Sequence, residues 1–559
     1  MGEADAGERM TGERMTGGEA LVERVLAHGV DTVFALPGVQ TYPIMDALQR
    51  AGNRVRVIGP RHEQTAAYMA MGYAKATGRP GVFSVVPGPG VLNAGAALCT
   101  MVATNAPVLM LTGQVPSGFL GRGRGHLHEI PDQLGTLRSF IKGAERVARP
   151  AEAPAAVDAA FAKMLSGRPG PVALEMCWDV LATPGPVDFP DLPEVPPAPA
   201  PDGAAIAAAV ALLAGAQRPM IMCGSGAQLA APEVRALAEA LGAPVTALRS
   251  GRGVVGEDHP LGVSSAAAWE LWGETDVLIG IGSRCEMQAM RWRGMMEAED
   301  RLAPPRRLIR IEIDAEELLR LKPDVGIVAD SAVGARALTE ALARAGAAPR
   351  ETGAAIAAAR TRAAEAVQAV QPQVGYLDAI REVLPRDGIL VKDICQAGFA
   401  SYFAWEAYEP RTYLTSGYQG NLGFAFPTAL GAKVGCPEKP VVVITGDGGF
   451  MFASQELSTA AQHGIGVVTV VFNNGAYGNV RRDQMTRYDG RVIASDLPGV
   501  DYVALAEAQG VAGYRVDSAE ALKPVLARAI AADKPALIEV MVEFGTEADP
   551  WGVILRQEG

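Results

Sequence analysis

Asp447 and Asn474 are the two side chains in this 559-residue sequence whose types and spacing most directly imply chemistry. Asp447 sits in Gly446-Asp447-Gly448-Gly449, directly after the apolar, β-branched run Val441 to Thr445. Such a run reads as a strand buried on both faces. The four-residue stretch is too glycine-rich to continue a strand or a helix, and an amphipathic segment follows with Leu457, Ala460 and Ala461 inward. A second apolar strand, Val467 to Phe472, ends in Asn473-Asn474-Gly475. Two parallel strands joined by a helix deliver Asp447 and Asn474 to one carboxyl edge, where α/β folds bind ligands. Asp447 offers a hard anionic oxygen, Asn474 a neutral one, and the Ala476 backbone carbonyl a third, leaving positions for phosphate oxygens and water. That donor set describes a Mg²⁺ site built around a diphosphate, with the backbone N–H groups of Gly448 and Gly449 facing the same anion. The plainer alternative is a buried βαβ unit whose Gly-Asp-Gly is only a turn.

Gly-Asp-Gly followed by Asn-Asn, with 27 positions from Asp447 to Asn474, resembles the signature of thiamine-diphosphate (ThDP) enzymes. The resemblance implies ThDP and Mg²⁺ as cofactors, with Asp447, Asn474 and the Ala476 carbonyl as metal ligands. Gly446, Gly448, Gly449, Tyr477, Gly478 and Pro87 become cofactor contacts. Glu63, in PRHEQTAAYMAMGYAKATGRPGV, corresponds to the glutamate that hydrogen-bonds the cofactor's aminopyrimidine ring. A carboxyl group relaying a proton to the far ring nitrogen makes the exocyclic nitrogen basic enough to deprotonate the thiazolium carbon. Alone, Glu63 reads first as an acid stabilising its helix N-terminus; beside Asp447 and Asn474 the catalytic reading is favoured. In ILVKDICQAG the resemblance makes Gln396 a diphosphate contact and the Cys395 backbone an aminopyrimidine contact, an ordinary βα turn being the alternative. Leu422, in SGYQGNLGFAFP, is the bulky wedge that bends the cofactor, or else plain core packing.

Within these enzymes the sequence looks most like the acetolactate synthase group, through FALPGVQTYPIMDAL, RHEQTAAYMAMGYA, VVPGPGVLNA, LTGQVPSG and TSGYQGNLGFAFPTALGA. It departs from that group around the substrate pocket. Gly38-Val39-Gln40 replaces a glycine pair after proline, and GHLHEIPDQ replaces a phenylalanine–glutamine pair. His126, His128 and Glu129 are thereby brought toward the cofactor. Two readings follow: solvated loop histidines, or His128 acting with Gln40 on protons of the reacting substrate. The tryptophan expected after NNGAYG is missing. Arg481 and Arg482 there read either as a carboxylate or CoA-phosphate site or as solvated residues at a helix start.

The elements that must position these groups form three doubly wound parallel-sheet α/β domains. Residues 1–182 form a pyrimidine-binding domain, with 1–18 expected to be disordered because GERMTGERMTGG is a short polar duplication. The proline run from Thr183 to Pro201 sets an extended linker at 183–203. A middle domain spans 204–345, a linker helix 346–375, and a diphosphate and metal-binding domain 376–559. In the middle domain Gly224-Ser225-Gly226 lacks the third glycine of a dinucleotide fingerprint, which also disfavours an NAD-dependent dehydrogenase. The resemblance nevertheless marks Gly224, Arg284 and Asp314 as candidates to hold FAD or ADP; an empty structural domain is the alternative.

Hydrophobic residues at 49% and charged residues at 20% support large cores, and a net charge of −12 argues against nucleic acid as a partner. No apolar run reaches membrane-spanning length and no secretory leader is visible, so no membrane partner is expected. The six cysteines are scattered without a CxxC pair, as in a reducing cytoplasm. The resulting expectation is a ThDP- and Mg²⁺-dependent enzyme of acetolactate synthase type. It would decarboxylate a 2-oxo acid and transfer the acyl carbanion unit to a second carbonyl. The alternative is a lyase acting on a 2-hydroxyacyl-CoA or oxalyl-CoA. A non-catalytic subunit ranks below both, since Glu63 and Asp447 are present. Family architecture implies a homodimer or homotetramer with active sites at the subunit interface.

Overall fold

The computed structural model of the protein describes residues 13–194, 198–286 and 306–554. They group into two compact units divided near residue 196, with Lys75–Gly78 and Ala103–Asn105 counted in the second.

The first unit contains β1 (Glu13–Thr16), β2 (Thr32–Ala35), β3 (Arg56–Ile58), β4 (Gly81–Val85), β5 (Val108–Gln114), β6 (Gly143–Val147), β7 (Val172–Cys177) and β8 (Pro184–Val187). Six of these form one parallel sheet in the order β3-β2-β4-β5-β7-β6. Every residue of β4, β5 and β7 is buried, as a sheet covered on both faces requires. One cover is supplied by the helices Gly17–Ala27 and Ala153–Leu165, whose Leu21, Val25, Val157 and Phe161 join Leu109, Leu111 and Leu174 in a common core.

The N-terminal duplication departs from the expected disorder at its second copy. Glu13–Thr16 pairs antiparallel with Pro184–Val187, and Thr16 then caps the helix Gly17–Ala27. The Thr16 side chain accepts from the Glu19 backbone N–H, and the Glu19 side chain accepts from that of Thr16. This reciprocal cap satisfies donors at the helix start, so the polar Met-Thr-Gly-Gly is a cap signal. The first copy lies outside the described residues. The proline run reaches a sheet only as β8, in a two-stranded edge pairing, where proline's missing N–H is tolerated.

The second unit holds two sheets. β9 (Pro219–Cys223), β10 (Val245–Thr246), β11 (Val277–Ile281), β12 (Arg307–Glu312) and β13 (Val325–Val328) form a parallel sheet in the order β10-β9-β11-β12-β13. The Ala/Arg-rich helix Gly353–Gln368 follows. It packs Ile356 and Ala363 into a core shared with Trp272 of one part and Tyr402, Phe403 and Trp405 of the other. β14 (Ile389–Lys392), β15 (Tyr413–Leu414), β16 (Val441–Gly446), β17 (Val467–Asn473), β18 (Ala512–Val516) and β19 (Ala536–Met541) then form a parallel sheet in the order β15-β14-β16-β17-β19-β18.

Counted within each sheet, the first and third share the order 2-1-3-4-6-5, and the middle sheet runs 2-1-3-4-5. In all three the chain reverses direction across the sheet after its first two strands. This opens a crevice at the carboxyl ends of β2 and β4, of β9 and β11, and of β14 and β16, where doubly wound sheets bind ligands. The three sheets give the expected α/β class. Among the described residues no helix is long and apolar enough to cross a membrane, and all six cysteines are free.

Candidate active site

In the third sheet Gly446 is in register with Phe472, so Asp447 and Asn474 leave neighbouring strands one step apart. Asp447 is 3% exposed. Burial pushes its carboxyl above the ordinary range, against backbone hydrogen bonds from Gly448, Gly475 and Ala476 that favour the anion. A buried acid of this kind calls for a cation. The expectation that Gly446–Gly449 breaks regular structure is corrected: Asp447–Phe450 is one helical turn. Its glycines are fixed by packing. A Cβ on Gly448 would lie 2.5 Å from the Tyr477 ring, and one on Gly449 would crowd Asp393 Oδ2 at 3.2 Å. Gly475 takes φ +66°, which turns the chain from β17 into the helix Gly478–Arg487. Of the amphipathic segment, Leu457 and Ala460 are buried as expected, while Ala461 is only partly so.

The facing strand end supplies Cys395 and Gln396. Cys395 caps the helix Gln396–Ala404, its sulfur accepting from Gly398 N at 3.3 Å, and burial raises its thiol to about 12. Its side chain is therefore held as a neutral thiol. The Gln396 amide oxygen and the Ser416 hydroxyl are buried without a hydrogen-bond partner among the described residues, as polar groups awaiting a ligand would be. Leu422 is half-buried between Gly420 (φ +64°) and Gly423 (φ +74°). No group of three or more His, Cys, Asp or Glu able to hold a metal occurs among the described residues. A cation here would instead take one carboxylate, an amide oxygen, a backbone carbonyl and ligand phosphates. That donor set suits Mg²⁺, and the buried unpartnered amide fits a polar ligand beside it.

Sequence reasoning missed Glu547. Asn474 Nδ2 donates to Glu547 Oε2 at 3.3 Å. Burial raises the Glu547 carboxyl, the Asp447 charge adds to this, and the Asn474 hydrogen bond opposes it. The segment carrying it is tied down nearby: Gln373 donates to Ala548 O at 2.7 Å, and Trp551 Nε1 to Asn479 Oδ1 at 3.0 Å. A lone Glu in a terminal stretch carries no motif, so no signal pointed to it. Arg482 pairs with Asp549 at 2.9 Å and Arg481 with Asp496. Both guanidinium groups are engaged in ion pairs within the unit.

In the first unit Glu63 is the first residue of the helix Glu63–Thr77. It packs near Gly90, where an added Cβ would meet Glu63 Cγ at 3.5 Å, and its Oε2 accepts from Asn93 Nδ2 at 3.0 Å. Pro87 follows β4. Next to it, Gly88 (φ +60°) lies against the His128 carbonyl, which would stand 2.3 Å from an added Cβ. The Gly88 N–H donates to Gln133 Oε1 at 2.8 Å, Gln133 Nε2 to Glu175 at 2.9 Å, and Glu175 is held by Arg146. This buried chain clamps the turn beneath the loop.

Gln40, in the 3₁₀ turn Val39–Thr41 that follows β2, is fully buried. Its Nε2 donates to Leu127 O at 2.7 Å, and its Oε1 is 2.6 Å from His128 Nδ1. Both ends of the amide are engaged by the loop carrying Leu127 and His128. His128 has φ +67°. Its imidazole is pushed below the usual value by burial, with the Glu63 charge acting the other way. Glu129 is turned back to accept from His126 N and Gly123 N. His126 lies against Phe119, ring centroids 5.0 Å apart.

In the middle sheet Gly224, Arg284 and Asp314 follow β9, β11 and β12 along one carboxyl edge. A Cβ on Gly224 would lie 2.1 Å from Gly282 O, so protein packing already requires that glycine. Arg284 lies over the Tyr418 ring at 4.6 Å, and Asp314 Oδ1 accepts from Glu316 N at 3.0 Å. The stretch after Glu286 lies outside the described residues.

Three family models cover this chain in order: the N-terminal TPP binding domain of thiamine pyrophosphate enzymes at residues 15–136, their central domain at 206–339, and their C-terminal TPP binding domain at 393–540. The chain belongs to the thiamine pyrophosphate enzymes, in their acetolactate synthase-like group, and is a ThDP-dependent enzyme that forms or cleaves carbon–carbon bonds on a small-molecule substrate. It is 34% identical to the probable 2-ketoarginine decarboxylase of Pseudomonas aeruginosa, over 89% of this chain and 88% of that protein. It is also 34% identical to the acetolactate synthase large subunit of Parasynechococcus marenigrum, over 95% and 88%. The acetolactate synthase large subunit of Corynebacterium glutamicum is 32% identical, over 99% and 90%.

Proposed function

We propose that this protein is a ThDP- and Mg²⁺-dependent enzyme that decarboxylates a 2-oxo acid and passes the acyl unit to a second carbonyl. The observation that carries the metal and cofactor reading is the pairing of Asp447 with Asn474 one register step apart at the β16–β17 edge. When bound, ThDP supplies a carbon nucleophile and an electron sink. Asp447, Asn474 and the Ala476 carbonyl hold Mg²⁺, and the Gly448 and Gly449 N–H groups with Gln396 hold the diphosphate. Tyr477, Gly478 and Leu422 line the same end of the cofactor. Glu63, Pro87 and the Cys395 backbone hold the aminopyrimidine, Glu63 exchanging a proton with its ring nitrogen. His128 serves the substrate side. The family resemblance supports assigning the working site to a homodimer or homotetramer in a reducing cytoplasm. Each cofactor would join the pyrimidine domain (residues 1–182) of one subunit to the diphosphate domain (376–559) of another.

A second reading, decarboxylation ending in aldehyde release, is favoured by His128, since an imidazole beside Glu63 can return a proton to the product. The relative named a 2-ketoarginine decarboxylase supports including a guanidino 2-oxo acid among the substrates tried. The CoA-lyase reading loses its basic entrance, because Arg481 and Arg482 are engaged with Asp496 and Asp549. FAD or ADP at Gly224, Arg284 and Asp314 is the least supported cofactor, the glycine having a packing role. Turnover of the ThDP- and Mg²⁺-loaded protein against pyruvate, 2-oxobutyrate and 2-ketoarginine, with and without an acceptor, is read by mass spectrometry. A condensed product supports carboligation and an aldehyde the second reading. Carbon dioxide release from none of these acids would contradict both, and nucleotide extracted from purified protein tests the middle domain.

A further inference from the structure

The hydrogen bonds around Gln40 determine more than its position. The Leu127 carbonyl can only accept, so the amide end 2.7 Å from it is the N–H end. The oxygen end is therefore the one 2.6 Å from His128 Nδ1. An amide oxygen also can only accept, so Nδ1 must carry a proton. A neutral imidazole protonated at Nδ1 has a bare Nε2. Among the described residues Nε2 makes no hydrogen bond.

We infer that Gln40 is a positioning residue that locks His128 in the Nδ1–H tautomer, making Nε2 the proton acceptor for the hydroxyl that the substrate's 2-oxo oxygen becomes during the reaction. The inference deepens the role given to His128 above and rests on that reading for its substrate side, whereas the tautomer itself is a property of the protein alone. In the step, the O–H bond of that hydroxyl breaks, its proton moves to Nε2, and its electron pair stays on oxygen as an alkoxide. The charge of Glu63, on the helix Glu63–Thr77, would favour the resulting imidazolium. Glu129, adjacent in the chain, is turned back onto Gly123 and His126.

The rest of the loop is built to hold this geometry. Gln40 is pinned from behind by Gly113, where a Cβ would stand 2.5 Å from Gln40 O and 2.8 Å from its Cβ. The His128 carbonyl presses on Gly88, and His128 itself takes a left-handed φ that favours glycine. A non-glycine residue held there is over-determined by its surroundings, as at positions that orient a side chain. Burial keeps the ring below the usual imidazole range, so at neutral pH the bare nitrogen is available as a base.

The test uses the full chain labelled with ¹⁵N-histidine, without added cofactor, with His128→Ala to assign the resonance. Long-range ¹H–¹⁵N correlation should show His128 protonated at Nδ1 and bare at Nε2 near pH 7.5, and Gln40→Leu should move it toward the Nε2–H form. An Nε2–H tautomer in the wild type, or no change in Gln40→Leu, would overturn the assignment. Gln40→Glu retains an acceptor for Nδ1 and adds a charge that stabilises imidazolium. Its acid limb of kcat/KM should move to higher pH, while Gln40→Leu should lose about 10-fold to 100-fold in kcat/KM. If Gln40→Leu fails to fold, the wild-type spectrum and the Gln40→Glu profile decide. An unmoved acid limb in Gln40→Glu with the expected tautomer would overturn the base role. Absence of turnover on every 2-oxo acid would count against the proposed reaction and leave the tautomer result standing.

Discussion

Asn474 donates its side-chain N–H to Glu547 at 3.3 Å, so the oxygen of the same amide is the end left for a cation. A ligand whose far side is fixed in this way binds metal more tightly than one free to rotate. Glu547→Ala should lower Mg²⁺ affinity about tenfold at saturating ThDP. Glu547→Gln, which retains an acceptor oxygen, should lose less. Calorimetric titration of Mg²⁺ into the ThDP-containing protein measures both, and equal affinities in all three proteins would remove Glu547 from the site.

The raised carboxyls of Asp447 and Glu547 give a pH dependence whose sign can be worked out. Below the ordinary carboxylate pKa of about 4 these groups are protonated whether the chain is folded or unfolded. Between that value and their raised folded values, the unfolded chain has released protons that the folded one retains. Their contribution is therefore present in acid and lost as pH rises through the folded values. Mg²⁺ and ThDP reverse the preference, because a cation favours the charged form. The rise in Tm on adding both should be larger at pH 7.5 than at pH 5, by differential scanning calorimetry. A rise independent of pH would contradict the placement of the cation against these acids.

Gly88→Ala should destabilise the first unit by about 1–3 kcal/mol, since the position has φ +60° and the His128 carbonyl occupies the space of a Cβ. Its more telling effect should be on rate, because relief of the clash moves His128. Urea unfolding beside steady-state kinetics separates the two, and a variant with wild-type stability and rate would leave the loop packing without consequence.

Glu63→Gln preserves shape and removes the capacity to exchange a proton, so deprotonation at the thiazolium carbon should slow by about 10²-fold or more. Quenched-flow hydrogen–deuterium exchange read by NMR follows that proton directly. An exchange rate equal to wild type would take Glu63 out of the mechanism.

The β-branched runs ending at Gly446 and Asn473 are legible as buried strands from their sequence, because a sheet covered on both faces tolerates little else. The helix starting at Glu63 is equally legible. Asp447–Phe450 is not, since local propensity argues against a helical turn through two glycines, and the reason for them is the Tyr477 ring and Asp393, distant in sequence. The type and place of Gln40 point to chemistry, whereas its amide is engaged by Leu127 and His128 across 87 and 88 positions. Glu547 and the Gln133–Glu175–Arg146 chain are invisible in the sequence for the same reason: each depends on a partner that only the fold brings near. Thr16 shows the opposite case, a capping box written locally but hidden within a repeat that looks like a tail.

The central claim, a metal-bridged diphosphate held at Asp447 and Asn474, is tested most directly by calorimetric titration of ThDP in the presence of Mg²⁺ into wild type and Asp447→Ala. Removing the charged ligand should weaken binding at least tenfold, about 1.4 kcal/mol or more, and omitting Mg²⁺ should weaken the wild type but have little further effect on the variant. Equal ThDP affinity in the two proteins with Mg²⁺ present would contradict the assignment.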